Sequence, residues 1–324
     1  MPFDKLLAIY IPLLSWTGLG WLLGRILPAR APVILGKFLF WIGVPISIGA
    51  FLRHARISTS LWIAPVSAWA AILLGGGLAW GWMQYGHPWV QKWLRKDLER
   101  DRTSWNRKTQ ASFLLTSMVG NTGYIGFPVS LALVGSDYFA WAIFYDMLGS
   151  TLGAYGLGVA VVSRWGNPQA DEQNWQRSLD PLLTNPALWG FGVGLAVRDI
   201  AISTFAEASL RGFAWGVVSL SLVLVGMRLS QLTSFKSIQL ATFSLSIKML
   251  LVPLVIGSGL WALGVHGLVH RAILLQMAMP PAFATLVISE AYELDYELAV
   301  TAIAIGSLTL LLTLPFWLWL FGSY

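Results

Sequence analysis

Apolar residues gather along this chain into long runs separated by short polar stretches. Each run is near the roughly 20 residues needed to cross the hydrocarbon core of a bilayer. The pattern predicts ten spans, at 5–27, 35–52, 61–83, 109–134, 138–163, 182–200, 209–229, 240–264, 267–289 and 297–320. A charged loop, 84–106, follows the third span, and a polar connector, 164–180, separates two halves of five spans each. The expected fold is therefore an all-α polytopic membrane protein. Its first repeat covers 1–163 and its second covers 181–324. The apolar stretch Leu6–Leu23 is read as the first span rather than a cleaved leader, because it is long for a signal and many spans follow.

Composition strengthens this picture. Only 11% of the 324 residues are charged and 56% are hydrophobic, against about 25% charged in soluble domains. The 18 Trp suit apolar surfaces that meet lipid headgroups. The lipid bilayer is thus the expected surrounding. A net charge of +6 would raise nucleic acid as a partner in a soluble protein. Here the basic residues sit in loops and no basic face with stacking aromatics is present, which argues against nucleic acid. The absence of cysteine excludes disulfides, thiolate metal sites and cysteine nucleophiles.

The basic residues instead report topology. With the N-terminus outside, fourteen of the 21 Lys and Arg fall on the inner side, including Arg25, Arg30, Lys37, seven residues of the 84–108 region, Arg164, Arg177, Arg228 and Lys236. Six fall outside, and Lys248 lies within a span. That bias predicts both termini outside, in a plasma (inner) membrane protein. Five spans per half is an odd number, so two related halves would insert in opposite orientations, as inverted repeats.

The fourth span of each half is interrupted. One reads Met118-Val-Gly-Asn-Thr-Gly-Tyr-Ile-Gly-Phe-Pro128, the other Gln276-Met-Ala-Met-Pro-Pro-Ala282. Proline removes a donor and clashes with the preceding turn, while Gly120, Gly123 and Gly126 weaken the helix before Pro128. A broken helix leaves N–H and C=O groups unpaired, which hydrocarbon does not tolerate unless protein or cavity water meets them. Matched breaks therefore predict a polar solute site near mid-membrane. The positive end of a half-helix suits a carboxylate, and Asn121 adds an amide that both donates and accepts. Candidate substrate contacts are Asn121, Gly120, Gly123, Gly126, Pro128, Gln276, Met279, Pro280 and Pro281.

Two intramembrane charges are candidates for ion or proton coupling. Lys248 lies five residues before Pro253 in the eighth span, and Asp146 lies in the fifth; such residues usually face a bundle interior or water. Glu290, Glu293, Asp295 and Glu297 read as a solvated acidic connector. His266 and His270 have the spacing of a metal pair without a third ligand nearby, so no metal site is expected. No Walker loop, dinucleotide fingerprint or nucleophile elbow is present. No cofactor beyond a coupling H+ or Na+ is expected, and no enzyme activity.

Asn121-Thr-Gly-Tyr-Ile-Gly-Phe-Pro128, the run from Met279-Pro280 to Ser289-Glu-Ala-Tyr292, Thr313-Leu-Pro315, and Lys248 with Pro253 together resemble the auxin efflux carrier family. That family includes the plant PIN-formed carriers and bacterial malonate-type transporters, and is related more distantly to the bile acid:sodium symporters. The resemblance implies a scaffold domain from spans 1, 2, 6 and 7 and a transport domain from spans 3–5 and 8–10. Spans four and nine would cross at Pro128 and Pro280, with Asn121 on the substrate anion, and the chain would form a homodimer through its scaffold. Only 164–180 joins the halves, where the plant carriers have a long cytosolic loop. The expected function is a secondary carrier, an exporter or uniporter, of a small organic anion such as a carboxylate. The alternatives are a sodium- or proton-coupled symporter and, further off, a membrane-embedded enzyme or an assembly protein.

Overall fold

A computed structural model describes residues 3–86, 105–166, 182–231 and 237–321. The connector 164–180 lies almost wholly outside them, as do Lys92, Arg95, Lys96, Arg100, Arg102, Arg177 and Lys236. Among the described residues the chain is helical. In order, the helices are α1 (Phe3–Ile26), α2 (Ala31–His54), α3 (Thr59–Gly86), α4 (Arg107–Met118), α5 (Gly126–Val134), α6 (139–166) and α7 (Pro186–Val197). There follow α8 (Thr204–Ser230), α9 (Ile238–Ala262), α10 (Gly267–Met277), α11 (Phe283–Ala291) and α12 (Tyr296–Phe321). Five of them, α2, α3, α8, α9 and α12, are long and apolar enough to cross a membrane.

Local chemistry sets the helix ends. Asn106 starts α4 by accepting the Thr109 N–H at 3.0 Å, and Asn185 and Ser203 start α7 and α8 in the same way. The α5 helix stops at Gly135, whose φ of 73° is the left-handed conformation that glycine adopts without strain. Asp295 begins α12 by accepting the Leu298 N–H and also receives the Thr109 hydroxyl at 2.8 Å. The acidic connector is therefore more than a solvated loop: Asp295 joins the starts of α4 and α12.

Helix pairs approach closely at small residues, as expected where lipid tails remove the hydrophobic drive between helices. The α1 helix lies along α8, where a Cβ on Gly226 would fall 2.0 Å from the Thr17 carbonyl oxygen. The α2 helix lies along α7, with Gly194 against Gly49 and Gly190 against Pro45. The largest core cluster draws instead on α3–α6 and α9–α12, through residues such as Ala68, Phe113, Tyr145, Met249, Ile273 and Leu298. Large apolar side chains also cover the outside, among them Trp62, Trp189, Trp261 and Trp319. Helices apolar on every side fit a lipid surrounding.

Among the described residues five stretches wind as π-helix: Leu39–Gly43 in α2, Trp82–Gly86 in α3, Asp146–Thr151 and Gly153–Gly158 in α6, and Ser246–Leu251 in α9. Such wide turns often mark functional positions. Two of these stretches hold the candidate charges, Asp146 and Lys248.

Candidate substrate-binding site

The two interruptions meet backbone to backbone. The gap between α4 and α5 runs alongside the gap between α10 and α11. The Asn121 N–H donates to the Pro280 carbonyl at 2.7 Å, and the Ala282 N–H donates to the Val119 carbonyl at 3.1 Å. Gly120 thus faces Pro281 as an isolated antiparallel bridge. Each gap supplies polar groups that the other needs, so the buried unwound backbone is satisfied. Position 120 is crowded: a Cβ there would lie 3.0 Å from Lys248 Cε and 3.3 Å from the Met279 carbonyl oxygen. Gly306 on α12 makes room in the same way for Pro280 and Pro281.

The contact point differs from the sequence expectation in one respect. Pro280 lies at the crossing, but Pro128 does not. It sits in the first turn of α5, where a missing N–H costs no helical hydrogen bond. The partners of the second gap are Val119, Gly120 and Asn121, because the extended residues, rather than the proline after them, offer free N–H and C=O groups.

Beside the crossing lies a cavity of about 580 Å³, within the range of small-molecule sites. Gly120, Asn121, Thr122, Gly123 and Tyr124 from the first gap form part of its wall, and Ala282, Phe283 and Ala284 form another part. Asn121 is 3% exposed. Its Oδ1 accepts the Tyr124 N–H at 3.2 Å, while its Nδ2 has no hydrogen-bond partner. An unpaired buried donor of this kind is costly, and the residue that carries it stands in the cavity wall. Asp146 lines the cavity from α6 and accepts hydrogen bonds from the Thr122 and Thr151 hydroxyls.

The other candidates stand behind this wall. Gln276 is fully buried, and its Nε2 donates to Ser130 Oγ at 3.0 Å. A Cβ on Gly126 would fall 2.5 Å from its Oε1, so Gly126 and Gln276 form a packing pair between α5 and α10. Met279 is buried in the core. Lys248 donates from Nζ to the Met277 carbonyl at 2.9 Å, which places a cation on an unpaired carbonyl at the end of α10. Neither Gln276, Met279, Lys248, Pro280 nor Pro281 lines the cavity. Pro128 borders a separate gap of about 10 Å³ with Phe51, Phe127 and Phe139. His270 is bound at Nε2 to the Gly257 carbonyl, 2.8 Å away, so its ring faces the backbone.

Residues 103–318, a stretch that holds both gaps, Asp146 and Lys248, match the membrane transport protein family. The chain belongs to that family. The resemblance to auxin efflux carriers is thereby borne out. This membrane transport protein is 25% identical over 286 residues to an uncharacterized transporter of Methanothermobacter thermautotrophicus, covering 87% of each chain. It is 28% identical over 207 residues to an uncharacterized transporter of Methanocaldococcus jannaschii, covering 64% of this chain and 67% of the other.

Several lining residues of the transporter escaped the sequence reading. Thr122 and Tyr124 sit inside the first gap but carry no helix-breaking signal. Ser150, Thr151 and Tyr155 follow Asp146 along α6; a polar stripe at 146, 150 and 151 was available as a signal. Lys37 and Arg228 line the cavity from α2 and α8, whereas the charge count treats them only as topology markers.

The cavity has an open end and a closed one. At one end its wall includes Lys37, Arg228, Glu290 and Tyr296, all near helix ends, and Tyr296 is 47% exposed. On the other side of the crossing an apolar cluster packs α2, α7 and α8 against α5 and α6. Phe51 meets Phe139 at 5.0 Å between ring centroids, Phe127 meets Phe139 at 5.1 Å, and Phe144 meets Phe191 at 5.0 Å. Beyond this seam Arg56 pairs with Asp137 at 3.1 Å, and Arg53 and His54 pair with Glu207.

Proposed function

We propose that the chain is a ten-span secondary carrier for a small organic anion, a carboxylate, working by alternating access as an exporter or uniporter. The observation that carries this reading is Asn121, whose Nδ2 has no partner, in the wall of a cavity at the point where two interrupted helices meet. In this reading each interrupted pair, α4 with α5 and α10 with α11, makes one span. With α1, α6, α7 and the five long helices, that completes ten. The two five-span halves, 1–163 and 181–324, are inverted repeats.

The packing of α1 on α8 and α2 on α7 supports a scaffold built from these four helices. The large core shared by α3–α6 and α9–α12 supports a transport domain that moves against the scaffold. Lys37, Arg228 and Glu290 at the open end belong to the side that the basic residues mark as cytoplasmic. The arrangement therefore corresponds to an inward-facing carrier, sealed outside by the Phe51–Phe139 seam. Both termini lie outside the plasma membrane, and two copies pair through their scaffolds. A second reading, sodium- or proton-coupled symport, draws on Asp146, a carboxylate inside the cavity.

Purified protein reconstituted in liposomes tests both. Exchange of at least one labelled mono- or dicarboxylate, with thermal stabilisation by the same compound, is the expected result. A carboxylate panel that gives neither would overturn the anion reading. Flux that vanishes without a sodium or proton gradient would select symport.

A further inference from the structure

The proposed carboxylate leaves one part of the cavity without a use. Asp146 is buried, 6% exposed, in the wall that also holds Asn121. Among the described residues no salt bridge reaches it. The cations that line the same cavity, Lys37 and Arg228, stand on the facing helices α2 and α8 and are not paired with it. Its surroundings nevertheless hold it in place. The Thr122 hydroxyl, one residue from Asn121, donates to Oδ1, and Thr151 donates from the next turn of α6. A Cβ on Gly123 would stand 3.5 Å from Oδ2. Gly123 lines the cavity beside Asp146, so only a hydrogen stands where a side chain would otherwise adjoin this oxygen.

A buried carboxylate without a counter-ion is expensive, and one in the wall of a ligand cavity is an acceptor for a cationic group. The same wall holds Asn121, whose buried Nδ2 has no partner. The rest of the lining is largely apolar, with the rings of Phe40, Trp41, Tyr124, Tyr155 and Phe283 around the space. A molecule that meets both polar groups has a carboxylate and an ammonium close together on an apolar body.

We infer that the site is built for a zwitterion, an α-amino acid with an apolar or aromatic side chain. Asn121 receives its carboxylate, and Asp146, positioned by Thr122, receives its ammonium. The inference rests on the carrier reading given above; it keeps the carboxylate and replaces the anion of that reading with a zwitterion of no net charge. It also gives Asp146 a counter-ion that travels with the substrate, so transport needs no separate coupling cation at this residue.

Three compounds that differ by one group each test it: L-phenylalanine, 3-phenylpropionate, which lacks the ammonium, and 2-phenylethylamine, which lacks the carboxylate. Thermal stabilisation of the full-length purified protein reads binding in each case. Wild type should bind L-phenylalanine at least tenfold more tightly than either truncated analogue. Asp146→Asn should abolish the preference for L-phenylalanine over 3-phenylpropionate, while Asp146→Glu should keep part of it.

If 3-phenylpropionate binds wild type as tightly as L-phenylalanine, the zwitterion assignment fails and the carboxylate reading survives. If 2-phenylethylamine matches L-phenylalanine while 3-phenylpropionate does not bind, both fail. If none of the three binds, and none of the twenty amino acids does, the assignment is overturned. The comparison in wild type decides the matter even if a variant does not fold.

Discussion

The two interrupted regions meet at one point, yet they are made of different material. The first, Val119 to Ile125, is rich in polar and small residues and forms much of the cavity wall. The second, Ala278 to Ala282, is apolar, buried, and touches the cavity only through Ala282. The second gap contributes backbone carbonyls and N–H groups that hold the first one open, and two prolines that keep it from closing into helix. The first gap contributes the side chains. In the proposed carrier, shape and recognition are thus divided between two breaks that look alike in the sequence.

Substitutions sharpen or break this division. The largest effect is expected for Asn121→Ala. A hydrogen bond to a charged group contributes about 1.5–3 kcal/mol, so substrate affinity should fall roughly 10–100-fold while the protein stays folded. Flux at the wild-type level would remove Asn121 from the site. Next comes Gly126→Val. Its new atoms would press on the Gln276 amide, and overpacking of this kind costs about 1–3 kcal/mol. The melting temperature should drop, with substrate affinity changed far less than in Asn121→Ala.

Lys248→Met removes the donor on the Met277 carbonyl. The expected result is a loss of about 1–3 kcal/mol of stability through an unsatisfied buried carbonyl, with the substrate affinity of folded protein close to wild type. An affinity loss as large as that of Asn121→Ala would place the Lys248 charge on the substrate instead. The smallest effect is expected for Pro280→Ala. The carbonyl at 280 remains available to the Asn121 N–H, so both flux and melting temperature should stay near wild type. A loss approaching that of Asn121→Ala would show that the second gap recognises substrate as well.

Much of this arrangement could be read in advance. The predicted span 209–229 lies inside α8, and 297–320 lies inside α12. Both gaps fall where glycine and proline cluster, because these residues act on the backbone whatever surrounds them. Asn121 and Asp146 were legible as polar residues in apolar runs. The side that each residue faces was not. Helices apolar all round give no stripe from which to read a rotation, so Gln276 and Lys248 could not be told from cavity residues. The wide turns at Asp146–Thr151 and Ser246–Leu251 add a further shift of phase that spacing does not reveal. The meeting of Gly120 with Pro281 depends on contacts between distant segments, and local propensity does not encode these.

The bonds between Asn121 and Pro280 and between Val119 and Ala282 run from main chain to main chain. They constrain side chains very little beyond the need for something small at position 120. A lineage that inherits this knot can therefore exchange the residues around it, at 122, 124, 150 or 155, one at a time and without unfolding the junction. Cargo preference would then drift faster than architecture. That is one route by which distant descendants could share a shape and little else.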